Sequence, residues 1–85
     1  MKNCLTIAGS DCSGGAGIQA DLKTFSALGC YGMSVITSVF AENTHALLSS
    51  MSVSQEVIAD QLEAVFSDIR VDAVKICLLY TSDAA

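Results

Sequence analysis

An open α/β sheet is the fold class that this sequence predicts, and three observations point to it. A short apolar run, Leu5-Thr6-Ile7-Ala8, feeds the glycine-rich stretch Gly9-Ser10-Asp11-Cys12-Ser13-Gly14-Gly15-Ala16-Gly17, which opens an amphipathic run at Ile18. Strand-like and helix-like patterns then alternate as β-α-β-α-β, with no repeat and no low-complexity linker. The first strand candidate is short and almost wholly apolar, as strands covered on both faces in a parallel sheet are.

Each element has its own local signature. Residues 4–8 form the first strand, and the glycines that follow free the backbone for unusual conformations and close ligand approach. From Ala16 to Leu28, Ile18, Leu22, Phe25 and Leu28 recur at steps of four and three, which predicts a helix with one buried stripe. Gly29 follows the last apolar position and suits the left-handed residue that ends a helix. Met33 to Phe40 is rich in β-branched residues and reads as a second strand. Ala41 to Ser52 has no clear period and reads as a long, functional connection. Ser54 is a good N-cap for a helix that carries Val57, Ile58, Gln61, Leu62, Val65 and Phe66 on one face, to about Asp68. Val71 to Ile76 supplies a third strand, with Lys75 near its end as an ordinary charge.

Composition narrows the function classes. At 85 residues, 52% hydrophobic and without proline, the chain can build one small core. A net charge of −5 with only four Lys/Arg argues against nucleic acid or an anionic membrane as partner. Met1-Lys2-Asn3-Cys4 leads into a strand rather than an apolar leader, which predicts a cytoplasmic protein. Cys4, Cys12, Cys30 and Cys77 include no CxxC pair, so they read as reduced thiols, and Cys12 carries no catalytic role.

The glycine stretch is the candidate site. At the carboxyl edge of a parallel sheet, with a helix N-terminus behind it, it suits a polar or anionic small molecule, and Ala41-Glu42-Asn43-Thr44 falls at the same edge. Gly15-Ala16-Gly17-Ile18-Gln19-Ala20 matches G-x-G-x-x-G/A, with Glu42 as a ribose acid, which keeps a dinucleotide-binding oxidoreductase as an alternative. Against it, six residues separate Ala8 from Gly15, whereas the fingerprint begins at the strand end. A P-loop fails because Gly15-Ala16 stands where Lys-Ser/Thr is required. Asp21, one turn into the helix, either faces the ligand or favours the helix start, and the residues alone leave both open. His45 reads as a solvated loop residue, and a small stand-alone binding module is a third possibility.

Leu5 to Phe25 and Tyr31 to Thr37 closely resemble the start of the bacterial hydroxymethylpyrimidine/phosphomethylpyrimidine kinases, a ribokinase-like family of thiamine biosynthesis. Ala41-x-Asn43-Thr44, Gln61-Leu62 and Asp72-Ala73-Val74-Lys75-Ile76 keep that family's order and spacing, so the resemblance extends from Leu5 to Ile76. It implies the N-terminal β-α-β-α-β part of a ribokinase-like three-layer α/β/α fold with a parallel sheet. It also implies ATP- and Mg2+-dependent phosphorylation of 4-amino-5-hydroxymethyl-2-methylpyrimidine and then of its monophosphate. The resemblance places the glycine stretch on the substrate side, with Gly9, Asp21 and Glu42 as pyrimidine-pocket residues. ATP and Mg2+ fall mainly to C-terminal segments of the family, so no catalytic residue is expected here and the fragment alone is expected to be inactive. The aminopyrimidine is the expected partner, and a homodimer is among the expected assemblies of the parent enzyme.

Three positions depart from the family pattern: Cys12 replaces a proline, Ala46 a glycine and Glu42 a glutamine. An amide can donate and accept along one heterocycle edge, whereas an ionised carboxylate only accepts. From Cys77 to Ala85 the resemblance stops, which divides the chain into a kinase-domain part, 1–76, and a non-native tail, 77–85.

Overall fold

The computed structural model describes residues 1–77. Six elements follow in order: β1 (Asn3–Asp11), α1 (Gly17–Ala27), β2 (Tyr31–Glu42), β3 (Leu47–Ser52), α2 (Gln55–Phe66) and β4 (Ala73–Ile76). They form one four-stranded sheet in the order β3-β2-β1-β4. β1 is central and parallel to both β2 and β4.

The chain steps from β1 to β2 on one side, then crosses back to β4 on the other. Because parallel crossovers share one hand, opposite steps deposit their helices on opposite faces of the sheet. Strand alternation agrees. Leu5, Met33 and Val35 pack against Ile58, Leu62 and Val65 of α2, whereas the fully buried Thr6 donates its hydroxyl to Asp21 of α1. Leu5 and Val35 are wholly inaccessible, each worth about 1.5–3 kcal/mol of apolar burial.

The helix boundaries match the capping signals. The Ser54 hydroxyl accepts the Val57 N–H at 3.2 Å, and Gly29 adopts φ +77° just beyond α1. That left-handed turn lets Gly29 N–H reach Ser26 O and Cys30 N–H reach Phe25 O, closing the helix end.

Two expectations are corrected. The sheet is mixed rather than parallel, because the stretch expected as a connection, Ala41 to Ser52, is a hairpin. β2 runs on to Glu42, and β3 returns antiparallel to it, with Val39 opposite Met51 and Ala41 opposite Ser49. Asn43 makes the reversal, its Oδ1 accepting the N–H groups of His45 (2.8 Å) and Ala46 (3.0 Å). Every residue of β3 is exposed, so neither face imposes the alternation by which a strand is read. β1 also runs through Gly9 and Ser10 to Asp11, which leaves only residues 12–16 as loop. Beyond the strands, Cys77 N–H donates to Ile7 O at 3.1 Å and so extends the β4 ladder; the rest of the 77–85 tail lies outside the described residues.

On the side away from β1, the inner stretch of β2 has no strand beside it, because β3 stops at Ser52, opposite Ser38. There the Gln61 side chain stands in for one. Ile36 N–H donates to Gln61 Oε1 and Gln61 Nε2 donates to Ile36 O, both at 2.9 Å. Gln61→Ala should destabilise the chain by about 1–3 kcal/mol, since two half-buried backbone groups lose their partners. Urea unfolding at fixed protein concentration measures this, and an unchanged midpoint refutes the role.

Candidate functional site

The carboxyl end of β1 is organised by Asp11, which is only 5% exposed. Its Oδ1 accepts the Ser13 N–H (2.9 Å) and the Ser13 hydroxyl (2.7 Å), and its Oδ2 accepts the Gly15 N–H (3.1 Å). The Ser13 hydroxyl first, then its N–H and those of Ala16 and Gly15, outweigh burial and hold the Asp11 carboxyl below the usual range. α1 has no side-chain cap at Ala16, and Asp11 gathers the N–H groups just ahead of the helix instead.

The loop returns the chain against β1. Gly17, at φ +61°, lies so close to the strand that a Cβ there would sit 2.3 Å from Gly9 O. Gln19 locks the contact, accepting the Asp11 N–H and donating to the Ser10 hydroxyl, each at 2.8 Å. Opposite Gly9, the ladder slips by one residue: Ala8 pairs with Ile36, but Ser10 pairs with Val39. This bulge swings Phe40 over Gly9, where a Cβ would stand 2.6 Å from the ring.

The result is a cavity of about 140 Å³ lined by Gly9, Asp11, Gly17, Phe40, Glu42 and Cys77, with Ala8 and Ala16. Asp11 pairs with Phe40 in a parallel register, and Glu42 lies two residues further on the same face, beside Asp11. Burial, then the charge of Asp11, push the Glu42 carboxyl up. The Cys12 thiol donates to Glu42 O, a backbone atom, at 3.2 Å.

Of the residues singled out from the sequence, Gly9 and Glu42 thus share one cavity. Asp21 is not among its lining residues. It accepts the Thr6 hydroxyl at 2.6 Å and the Lys75 ammonium at 3.0 and 3.1 Å, tying α1, β1 and β4 together. Burial pushes the Asp21 carboxyl up, but the Thr6 hydroxyl and Lys75 outweigh it, and the net direction is down. Asp11, Gln19, Phe40 and Lys75 carry roles that sequence reading missed. For Asp11 a signal existed, because Asp followed two residues later by Ser and then Gly is an Asx-turn pattern.

Comparison with known proteins decides the family. The family model described as phosphomethylpyrimidine kinase matches residues 11–85. The chain belongs to the phosphomethylpyrimidine kinase family. It is similar to the hydroxymethylpyrimidine/phosphomethylpyrimidine kinases of Escherichia coli, at 58% identity over 95% of this chain, and of Rhizobium meliloti, at 62% over 85%. The chain spans about 30% of the length of these curated relatives, 30% and 27% respectively. Among solved structures, the phosphomethylpyrimidine kinase of Clostridium difficile superposes with a TM-score of 0.89 at 56% identity, over 95% of this chain and 37% of that one. The Staphylococcus aureus pyridoxal kinase, in complex with AMP-PCP and pyridoxal, gives 0.83 at 42% identity, over 98% and 31%. The dinucleotide alternative gives way to this family membership, and in the structure Gly17 serves the contact with Gly9.

Two predictions follow from the geometry. Gly17→Ala should cost at least about 1–3 kcal/mol from the left-handed backbone alone, read as a fall in thermal midpoint; a wild-type midpoint would show that α1 need not touch Gly9. Asp21 is lowered in the folded state, so its contribution is present above the ordinary carboxylate range and lost as pH falls through its folded value. The midpoint difference between wild type and Asp21→Asn should therefore be widest at neutral pH and narrow below about pH 4. A difference independent of pH refutes the Lys75 and Thr6 pairing as its source.

Proposed function

We propose that this chain supplies the pyrimidine side of an ATP-dependent kinase that phosphorylates the hydroxymethyl group of 4-amino-5-hydroxymethyl-2-methylpyrimidine, and then its monophosphate, in thiamine biosynthesis. One observation carries the reading: the cavity between Gly9, Phe40 and Glu42 opens at the carboxyl ends of β1 and β2, where the sheet order reverses. A planar ring suits the cavity in this reading because the Phe40 ring, packed on the bare backbone of Gly9, forms a flat apolar wall. Glu42 and Asp11 stand where an exocyclic amino group would find acceptors.

The roles are assigned residue by residue. Gly9 and Glu42 contact the substrate. Asp21 acts from the layer behind, fixing β1 through Thr6 and β4 through Lys75, so that the cavity wall keeps its shape. Among the described residues no three His, Cys, Asp or Glu side chains converge as a metal site. No Mg2+ ligand is assigned to this chain, and no step is routed through the metal. In this reading ATP, with Mg2+, is held by the parts of the kinase beyond the 30% that the chain spans of its Escherichia coli relative. Phosphoryl transfer needs oriented donors and a residue to take the hydroxyl proton, and none of these is assigned to this chain. A cytoplasmic, dimeric parent enzyme completes the proposal.

The test is a chimera in which this chain replaces the matching segment of the Escherichia coli relative. With ATP and Mg2+ it should convert the hydroxymethylpyrimidine to its monophosphate and diphosphate, as followed by mass spectrometry, whereas the 85-residue chain alone should give none. Pyridoxal is the control substrate, and a chimera that prefers it would replace the pyrimidine reading. Turnover by the isolated chain above a no-protein control would overturn the assignment of catalysis to the remaining segments.

A further inference from the structure

Two carboxyl groups meet at the mouth of the cavity, and their surroundings are unequal. Asp11 receives three hydrogen bonds from the Ser13 and Gly15 loop. Among the described residues no N–H or hydroxyl donates to the Glu42 carboxyl; the one donor nearby, the Cys12 thiol, goes to its backbone oxygen. Among the described residues the other groups around Glu42 are few. Cys77 comes from beyond β4, Leu47 is the β3 register partner, and His45 in the turn is exposed. Among the described residues no cation faces the pair: Lys23 donates to Gly14 O, and Lys75 is engaged with Asp21.

Two adjacent carboxyls do not both ionise freely, and the charge settles on the one with donors. We propose that Asp11 and Glu42 are a proton-sharing pair, in which Asp11 is the anion and Glu42 meets the ligand as a neutral carboxylic acid. Such an acid has an O–H donor beside a C=O acceptor. It therefore matches a ring nitrogen that accepts beside an exocyclic amino group that donates, the edge of an aminopyrimidine. This second half rests on the pyrimidine reading of the cavity; the first half does not.

The same pairing explains how a carboxyl can stand where the ligand edge calls for both a donor and an acceptor. It also makes recognition pH-dependent in a defined direction. As pH rises through the folded-state value of Glu42, the donor is lost and two like charges face each other, so both affinity and stability decline.

The test is a carbon-detected NMR titration of the side-chain carboxyls in the 85-residue chain, with the exposed Glu56 and Glu63 of α2 as internal references. Glu42 should titrate at higher pH than both, and Asp11→Asn should lower it toward them, leaving only the part due to burial. If that variant does not fold, Ser13→Ala, which takes the hydroxyl donor from Asp11 and leaves the Ser13 N–H in place, should lower the Glu42 midpoint and raise that of Asp11. Glu42 titrating with Glu56 and Glu63 in the wild type overturns the proposal. Titration with added 4-amino-5-hydroxymethyl-2-methylpyrimidine separates the two halves. Binding that weakens ~tenfold per pH unit above the Glu42 midpoint, and becomes flat in E42Q, supports both halves. A raised Glu42 midpoint with no ligand-induced shift supports the proton pair and overturns the pyrimidine assignment alone.

Discussion

The Asp11 carboxylate is the constraint on which the rest of the site depends. It ends the central strand, is almost wholly buried, and gathers the donors of the loop that follows. A glycine-rich segment has many conformations to lose, and a single acceptor with several fixed donors selects one of them. Once the loop is set, α1 begins against Gly9, Gln19 reaches back to the strand, and the cavity acquires its floor. The same donors make Asp11 the anion beside Glu42, so loop geometry and site electrostatics have a common origin.

Sheet topology supplies the opening. β1 has neighbours reached by opposite crossovers, so the helices diverge to opposite faces and leave the strand end uncovered between them. The bulge opposite Gly9 then aims Phe40 and Glu42 into that gap. Polar pairs hold the layers in place: Thr6, Asp21 and Lys75 on the α1 side, and Gln61 with Ile36 on the α2 side.

What was legible in the sequence was local. The Ile18, Leu22 and Phe25 stripe, the Gly29 stop and the Ser54 cap are set within one helical turn and stand where they were expected, whereas Leu28, expected on the same stripe, falls at the helix cap and is exposed. What was not legible depended on distance along the chain. Lys75 reads as a stray charge until a residue 54 positions earlier proves to be its partner. Gln61 looks like part of an amphipathic face, yet its amide pairs with a backbone 25 positions away. β3 carried no period because neither of its faces is buried. The meeting of Glu42 with Asp11 requires the β1–β2 register and its one-residue slip, which no short window of residues encodes.

The Gln61 amide has a further consequence for how this part of the fold can vary. By occupying both backbone groups of Ile36, it acts as a buffer stop for the hairpin: the chain after β3 cannot zip further along β2 than the Val53 N–H bond to Thr37 O. Length changes are therefore channelled to the opposite end. The turn at 43–46, held by one asparagine side chain and exposed to solvent, can lengthen or shorten without disturbing any strand partner. An insertion between Ser52 and Gln61 would pull the amide out of register with Ile36. Sequence drift at the edge of this sheet has one free end and one anchored end.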